Sequence, residues 1–400
     1  MGLNNRGGVV LALGVTQTIA WASSYYLPAV LAAPMARDLG IGVPTVFAAF
    51  SFGLLISAVI GPYAGRAIDR AGGKPTLIAT NIVFALGLAG LGWAQGVAGL
   101  FAAWALLGLG MGAGLYEAAF AALVALYGKT ARNAISGITL IAGFASTVGW
   151  PLSSYLDAQI GWRGACFTWA AVHVLLALPL NALLPAAQRA TAQAASPDSP
   201  ENGHVPPDAA RNAVLLSIVF AITWFISTAM AAHLPRLLMA AGASFAAAVA
   251  AGTLVGPAQV GGRLLELGVL RRIHPLLSAR LAATAHPLGA AILLALGAPW
   301  ASLFVLMHGA GNGIMTIAKG TLPLVLFGSH GYGAKQGVLM VPTRIAQAFA
   351  PWLFGLCLDR WGAGALWVSA GLGAVGFLAL MALRSPAAEA PEPQDSRLPT

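Results

Sequence analysis

Apolar residues run along this chain in long blocks broken by short polar stretches. Blocks of about 20 residues or more can cross about 30 Å of hydrocarbon at about 1.5 Å per residue. Twelve are expected, at residues 9–35, 44–64, 75–93, 97–127, 134–156, 164–184, 213–240, 245–262, 275–297, 300–327, 337–358 and 363–383. Pro275, Arg280, His286 and Pro287 interrupt the ninth. The first block imitates a signal peptide: Arg6, a short apolar core, then Ala20-Trp21-Ala22. Its apolar character continues through Tyr25 and Tyr26 to Met35, so it reads as an uncleaved span.

Between blocks 6 and 7 the composition changes to Ala, Pro, Ser and Asp, which reads as a flexible linker. The expected organisation is a six-span half at 1–184, a linker at 185–212, a second six-span half at 213–384 and a disordered tail at 385–400. The fold class is an all-α integral membrane protein, two pseudo-symmetric six-helix bundles around a central cavity.

Composition sharpens this picture. The 400 residues are 58% hydrophobic and only 8% charged, with mean hydropathy +0.80. Soluble domains carry about 25% charged residues, so this chain cannot cover a water-facing surface. The net charge of +9 comes from scattered residues with no aromatic-basic groove for nucleic acid. If the N-terminus is inside, the inner segments hold every Lys and Arg except Arg37, Arg163, Arg236 and Arg360 outside, and Lys319 and Arg344 within spans. This bias places both termini in the cytoplasm. Cys166 and Cys357 are too few and too isolated for a disulfide framework or a metal site.

The two halves repeat each other. After span 2 comes GPYAGRAIDRAGGKP, and after span 8 comes GPAQVGGRLLELG. Both hold Gly-Arg-x-x-acid: Gly65 to Asp69, and Gly262-Arg263 to Glu266. Parallel six-helix halves around a pathway are a transporter architecture. The first stretch resembles the loop signature of the major facilitator superfamily, G-x-x-x-D-R-x-G-[RG]-[RK], through Gly65, Asp69, Arg70, Gly72, Gly73 and Lys74. Gly73 stands where Arg is more usual. Stretches such as GLGMGAGLYEAAF and GNGIMTIAKGTLPL are similar to a bacterial subgroup of unassigned substrate. The resemblance implies a conformational gate at this loop and a bacterial inner-membrane location. In physical terms Asp69 is suited to accept hydrogen bonds from a helix N-terminus or an arginine.

Charged groups at mid-bilayer cost at least about 2.5–3.5 kcal/mol on insertion scales, which marks them as functional candidates. Three exist: Glu117 in span 4, Lys319 in span 10 and Arg344 in span 11. Counted from the span ends, Glu117 and Lys319 lie roughly 12–15 Å deep, and Arg344 roughly 10 Å. The resemblance puts spans 1, 4, 7 and 10 around the cavity, with Glu117 and Lys319 facing it from opposite halves. Two readings stand. Glu117 carries protons while Lys319 and Arg344 attract an anion, or Glu117 forms a structural ion pair with Lys319 or Arg344 that closes one face. Softer pathway candidates are Gln17, Trp21, Tyr25 and Tyr26 in span 1, Tyr116 in span 4, Thr223 and Trp224 in span 7, and His308, Asn312 and Thr316 in span 10. Helix packing accounts for each of these alone equally well.

The run Gly108-x-Gly110-x-Gly112-x-Gly114 lacks the strand and acidic residue of a dinucleotide site. AGGKPT has Pro75 where a P-loop needs Ser or Thr. No nucleophile–base pair appears, so no enzyme, cofactor or metal is expected. The expected function is secondary active transport of a small solute, a small organic anion coupled to protons, by a monomer in the lipid bilayer. Drug or metalloid efflux and a non-transporting sensor or scaffold are the alternatives.

Overall fold

The structure, a computed structural model, describes residues 5–186 and 207–384. Among these residues the regular structure is helical, and eight stretches are long and apolar enough to cross a membrane. Two of them hold several crossings. Val97–Ala182 turns at Gly128–Ala131 and at Gly161, and Tyr332–Ala382 turns at Gly362–Gly364. With the helix pair Arg6–Ser23 and Pro28–Asp38, the twelve expected spans are present among the described residues.

Spans 2 (Val43–Ala71), 3 (Gly73–Trp93), 7 (Pro207–Ala240), 9 (Pro275–Leu296), 10 (Ala301–Phe327) and 12 (Ala365–Ala382) are single helices. Span 4 is broken into Val97–Gly114 and Tyr116–Tyr127, and span 8 into Phe245–Gly252 and Val255–Gly268. Span 11 is broken into Tyr332–Leu339 and Val341–Trp361. Span 5 runs from Arg132–Ala142 into the helix that begins at Ala145. Span 6 follows the turn at Gly161 and ends through a π-helical segment, His173–Ala177.

Four expected limits are corrected. Span 2 extends to Ala71, not 64, so Gly65, Asp69 and Arg70 of the loop motif lie in its last turns. Span 8 extends to Gly268, not 262, and span 11 begins at Tyr332, not 337. Polar residues there read as span ends, yet Arg263, Glu266 and Gln336 are buried. Span 7 begins at Pro207, inside the expected linker, with Asp208 in its first turn where the helix dipole favours an acid. The rest of that linker, 187–206, and the tail, 385–400, lie outside the described residues.

Close packing explains the glycine runs. In span 4, Gly108 and Gly112 lie on Gly53 and Ser57 of span 2, while Gly110 and Gly114 face Phe84 and Thr80 of span 3. Span 10 repeats the device, with Gly309 and Gly313 on span 8 and Gly311 on Ala282 of span 9. A side chain at these positions would meet backbone or ring atoms of the next helix, so small residues set the helix separation.

The halves meet on the basic face, at the span ends near Arg6, Lys129, Arg132, Arg211 and Arg384. Gly61 and Gly65 of span 2 cross Gly337 and Gly333 of span 11 backbone to backbone. Asp69 then accepts the N–H groups of Gly333 (2.8 Å) and Ala334 (2.7 Å), which are free because they open span 11. The second motif mirrors this. Glu266 pairs at 3.3 Å with Arg132, which opens span 5, and accepts the Ser278 hydroxyl. Each acid therefore clamps the first turn of a span from the other half. Gly73 packs against Ala122 of span 4, where the Cβ of an arginine would collide.

Candidate functional site

Breaks in two spans build the centre. In span 1 the helix stops at Ser23 and restarts with Pro28 at its first position, leaving Tyr25 and Tyr26 in the turn between. In span 4 Leu115 is extended (φ −82°, ψ −166°), and Gln17 of span 1 donates to the Gly114 carbonyl at 2.7 Å. That break makes Glu117 a first-turn residue of Tyr116–Tyr127, where unpaired peptide N–H groups favour a negative charge.

Span 10 meets it from the other half. Pro323 lacks the N–H that the Lys319 carbonyl, four residues earlier, would accept. Gln336 of span 11 donates its amide to that carbonyl at 3.1 Å, and the Tyr332 hydroxyl donates to the Gly320 carbonyl at 2.7 Å. Span 10 is thereby fastened at the turn that carries Lys319.

Lys319 Nζ lies 2.6 Å from Glu117 Oε1, and Arg344 Nη2 lies 3.0 Å from Oε2. The Lys319 ammonium also sits 4.3 Å from the Trp224 ring centroid, a cation–π contact. Arg344 donates to Gln347 Oε1 (3.3 Å), Gln347 donates to the Tyr25 hydroxyl (3.3 Å), and the Tyr25 and Thr228 hydroxyls share a hydrogen bond (3.0 Å). Spans 1, 4, 7, 10 and 11 thus share one polar chain. Arg344 is not shallower than its partners, as its distance from residue 337 implied. Span 11 starts at Tyr332, so Arg344 reaches the same carboxylate as Lys319.

One carboxylate for two cations leaves the cluster with a net positive charge. Trp21 meets Tyr25 edge-on (5.1 Å) and packs at a tilt against Tyr116 (4.9 Å), with Tyr26 at 6.1 Å. Its Nε1 is buried with no acceptor among the described residues. Arg263, read from its motif as a gate residue, is 5% exposed and packs its guanidinium on Gly143 of span 5. Its Nε and Nη1 also lack acceptors among the described residues, and its charge acts on the Tyr26 and Tyr116 hydroxyls. Trp21 Nε1 and Arg263 Nε and Nη1 are thus buried donors without acceptors, while Gln17 Oε1 is a buried acceptor without a donor among the described residues.

Other candidates lie elsewhere. Thr223, His308 and Asn312 line a pocket inside the second half, and His286 joins them. Thr316 turns back to the Asn312 carbonyl. Gly65, Asp69 and Glu266 belong to the basic-face contacts, Gly262 packs on the Ala310 backbone of span 10 inside the second half, Arg70 is exposed, and Lys74 is half-buried beside Gly73. Sequence reasoning passes over Gln347, Gln336 and Tyr332. The polar stripe Thr343, Arg344, Gln347 at helical spacing is the signal that points to the first of them.

Two like six-helix halves with ionised groups buried between them define a membrane transporter. The family profile described as Major Facilitator Superfamily matches residues 13–341, and the chain belongs to that family, whose members are transporters and not enzymes. It is 27% identical over 372 residues to an uncharacterized 38 kDa protein in the 23S RNA operon of Thermoproteus tenax, covering 92% of this chain and 93% of that one. A shorter match, 29% identical over 127 residues, is to monocarboxylate transporter 14 of Mus musculus, covering 32% of this chain and 25% of that one. Among solved structures, the proton:xylose symporter XylE bound to 6-bromo-6-deoxy-D-glucose superposes with TM-score 0.74 at 13% identity, covering 94% of this chain and 95% of that one.

Proposed function

We propose that the protein is a secondary active carrier of small organic anions, monocarboxylates foremost, coupled to protons and working by alternating access. The observation that carries this reading is the surplus of buried positive charge between the halves: Glu117 answers only one of Lys319 and Arg344, and Arg263 has no carboxylate partner in the centre. Isolated buried charge costs several kcal/mol, and a carboxylate ligand removes that cost. In this reading Arg263 and Trp21 donate to the carboxylate and the tyrosines enclose its apolar body. Glu117 with its two cations joins the halves and holds the closed state. The partial match to a monocarboxylate transporter agrees with this chemistry. A cationic drug would be repelled by the site. The basic face is the cytoplasmic one, in a bacterial inner membrane, and one chain suffices because the pathway lies between its own halves.

Uptake into proteoliposomes under an imposed pH gradient tests the reading, with lactate, benzoate, a neutral sugar and a cationic dye as solutes. A carboxylate is expected to accumulate. Arg263→Gln should raise the half-saturation concentration about 10- to 100-fold, the worth of charge-assisted hydrogen bonds. Transport of the sugar or the dye in place of every carboxylate would overturn the reading.

A further inference from the structure

Building on the anion-carrier reading, we infer that the coupled proton is carried by the His286–His308 pair and not by Glu117. Glu117 is already held by two cations at 2.6 and 3.0 Å. A proton added there would strand two buried positive charges beside a neutral acid. His173 is committed as well: its Nδ1–H donates to Asn81 Oδ1 and its Nε2 accepts from Ser23, both at 2.8 Å.

His286 of span 9 and His308 of span 10 differ from both. Their Nδ1 atoms lie 3.0 Å apart, so one ring carries the Nδ1 proton and the other presents a lone pair. Both rings are at least nine-tenths buried, and His286 Nε2 has no partner among the described residues. The pair borders a pocket with about 40 Å³ of space for water, above the roughly 10–15 Å³ that one molecule needs. Gly311, Gly373 and Gly376 also border the pocket, and Thr223 and Asn312 supply its other polar groups.

No acid, Lys or Arg lines the pocket among the described residues. On the elements packed around the pair, the charges are spoken for or lie turns away. On span 9, Arg280 donates to the Leu380, Met381 and Leu383 carbonyls. On span 10, Lys319 is paired with Glu117. On span 8, Arg263 packs on Gly143 and Glu266 on Arg132 and Ser278. Spans 7 and 12 present only Thr223, Gly373 and Gly376 beside apolar side chains.

The neutral pair holds two N–H protons. Taking one from pocket water gives a third, with an imidazolium donating across the Nδ1–Nδ1 bond to its neighbour. Release returns one N–H proton to water when the pocket faces the other side. The charged pair is costly in an apolar pocket, and an anion arriving beside span 10 offsets that cost, so proton and anion load together.

The test uses the full chain in liposomes with lactate as probe, comparing proton-driven accumulation with lactate exchange at equal pH, which moves no net protons. His286→Gln and His308→Gln should each lose accumulation at least tenfold and keep exchange within twofold. Accumulation like the parent's in both variants overturns the assignment, and so does equal loss of exchange, which marks a structural pair. If the parent carries no lactate, the carrier reading fails for that anion and a probe-free measurement decides on the histidines. Nitrogen-15 histidine spectra in bilayers, recorded as the pH is lowered, should show the pair taking up one proton, at a higher pH with lactate than without it, a signal lost in His308→Gln. A pair that stays neutral until the protein unfolds overturns the inference.

Discussion

Replacing Glu117 by Gln preserves shape and removes the charge that Lys319 and Arg344 share. Those two side chains are 1% and 3% exposed, so both become buried cations without a carboxylate. Breaking a buried pair from one side costs about 3–5 kcal/mol. Lys319→Gln acts differently. It leaves Glu117 and Arg344 matched one to one and removes the surplus charge, losing mainly the Trp224 contact, worth about 0.5–2 kcal/mol. The charge-neutral variant should therefore be the more stable of the two. With each half treated as a unit of about 150–250 residues, a kcal/mol shifts the melting temperature by about 2–4 °C. Glu117→Gln should then melt about 6–20 °C below the parent, and Lys319→Gln no more than about 8 °C below. Thermal unfolding in detergent followed by tryptophan fluorescence reads both. Salt should change neither shift much, because a buried pair is poorly screened. If Lys319→Gln melts lower than Glu117→Gln, or if Glu117→Gln melts with the parent, the shared-carboxylate account is wrong.

Two further outcomes are expected on either side of this cluster. Asp69→Asn weakens the clamp on Gly333 and Ala334 by about 1.5–3 kcal/mol, so the open population of the basic face should rise about tenfold or more. Spin labels at the exposed positions Ala67 and His330 would report it as a longer distance component, and an unchanged distribution refutes the clamp. Gln336→Leu orphans the Lys319 carbonyl and should cost about 1–3 kcal/mol. Pro323→Ala returns a backbone N–H to that carbonyl, so the double variant should recover most of the melting temperature; additive losses would refute the link.

The spacing of apolar blocks makes the twelve spans legible, because a long uncharged run in a chain this hydrophobic is stable only with lipid or other helices around it. Charge rarity likewise singles out Glu117, Lys319 and Arg344. Backbone events inside apolar runs leave no such mark. The break at Leu115 lies in GLGMGAGLYEAAF, where hydropathy is uniform, and only the structure shows that Gln17 completes the freed carbonyl. Buried polar residues mislead in the opposite direction. Arg263, Glu266 and Gln336 read as span ends, and His286 as an interruption of span 9, because a composition rule cannot tell a side chain facing water from one facing a neighbouring helix. Gly73 departs from its motif for a local reason, the contact with Ala122, that no single sequence records.

The repeat and its exceptions divide the labour of the molecule. Asp69 holds the start of span 11 as Glu266 holds the start of span 5, and the glycines of spans 4 and 10 seat both helices in the same way. Symmetric clamps and symmetric packing suit a rocking motion, since each half can move against the other without repacking its own interior. The centre breaks the symmetry. At corresponding depth span 4 offers Glu117 and span 10 offers Lys319, and spans 8 and 11 add Arg263 and Arg344. A carboxylate faced with its own charge from the first half and three cations from the second cannot be satisfied by symmetry. Like charges at both positions would push the halves apart, and an apolar pair would hold them with nothing for a ligand to change. On the anion-carrier reading proposed above, an opposite pair with surplus positive charge does neither: it closes the bundle and leaves a site for an anion. The same substitution that removes Glu117 should therefore weaken closure and the melting temperature together, because in this protein one ion pair serves both.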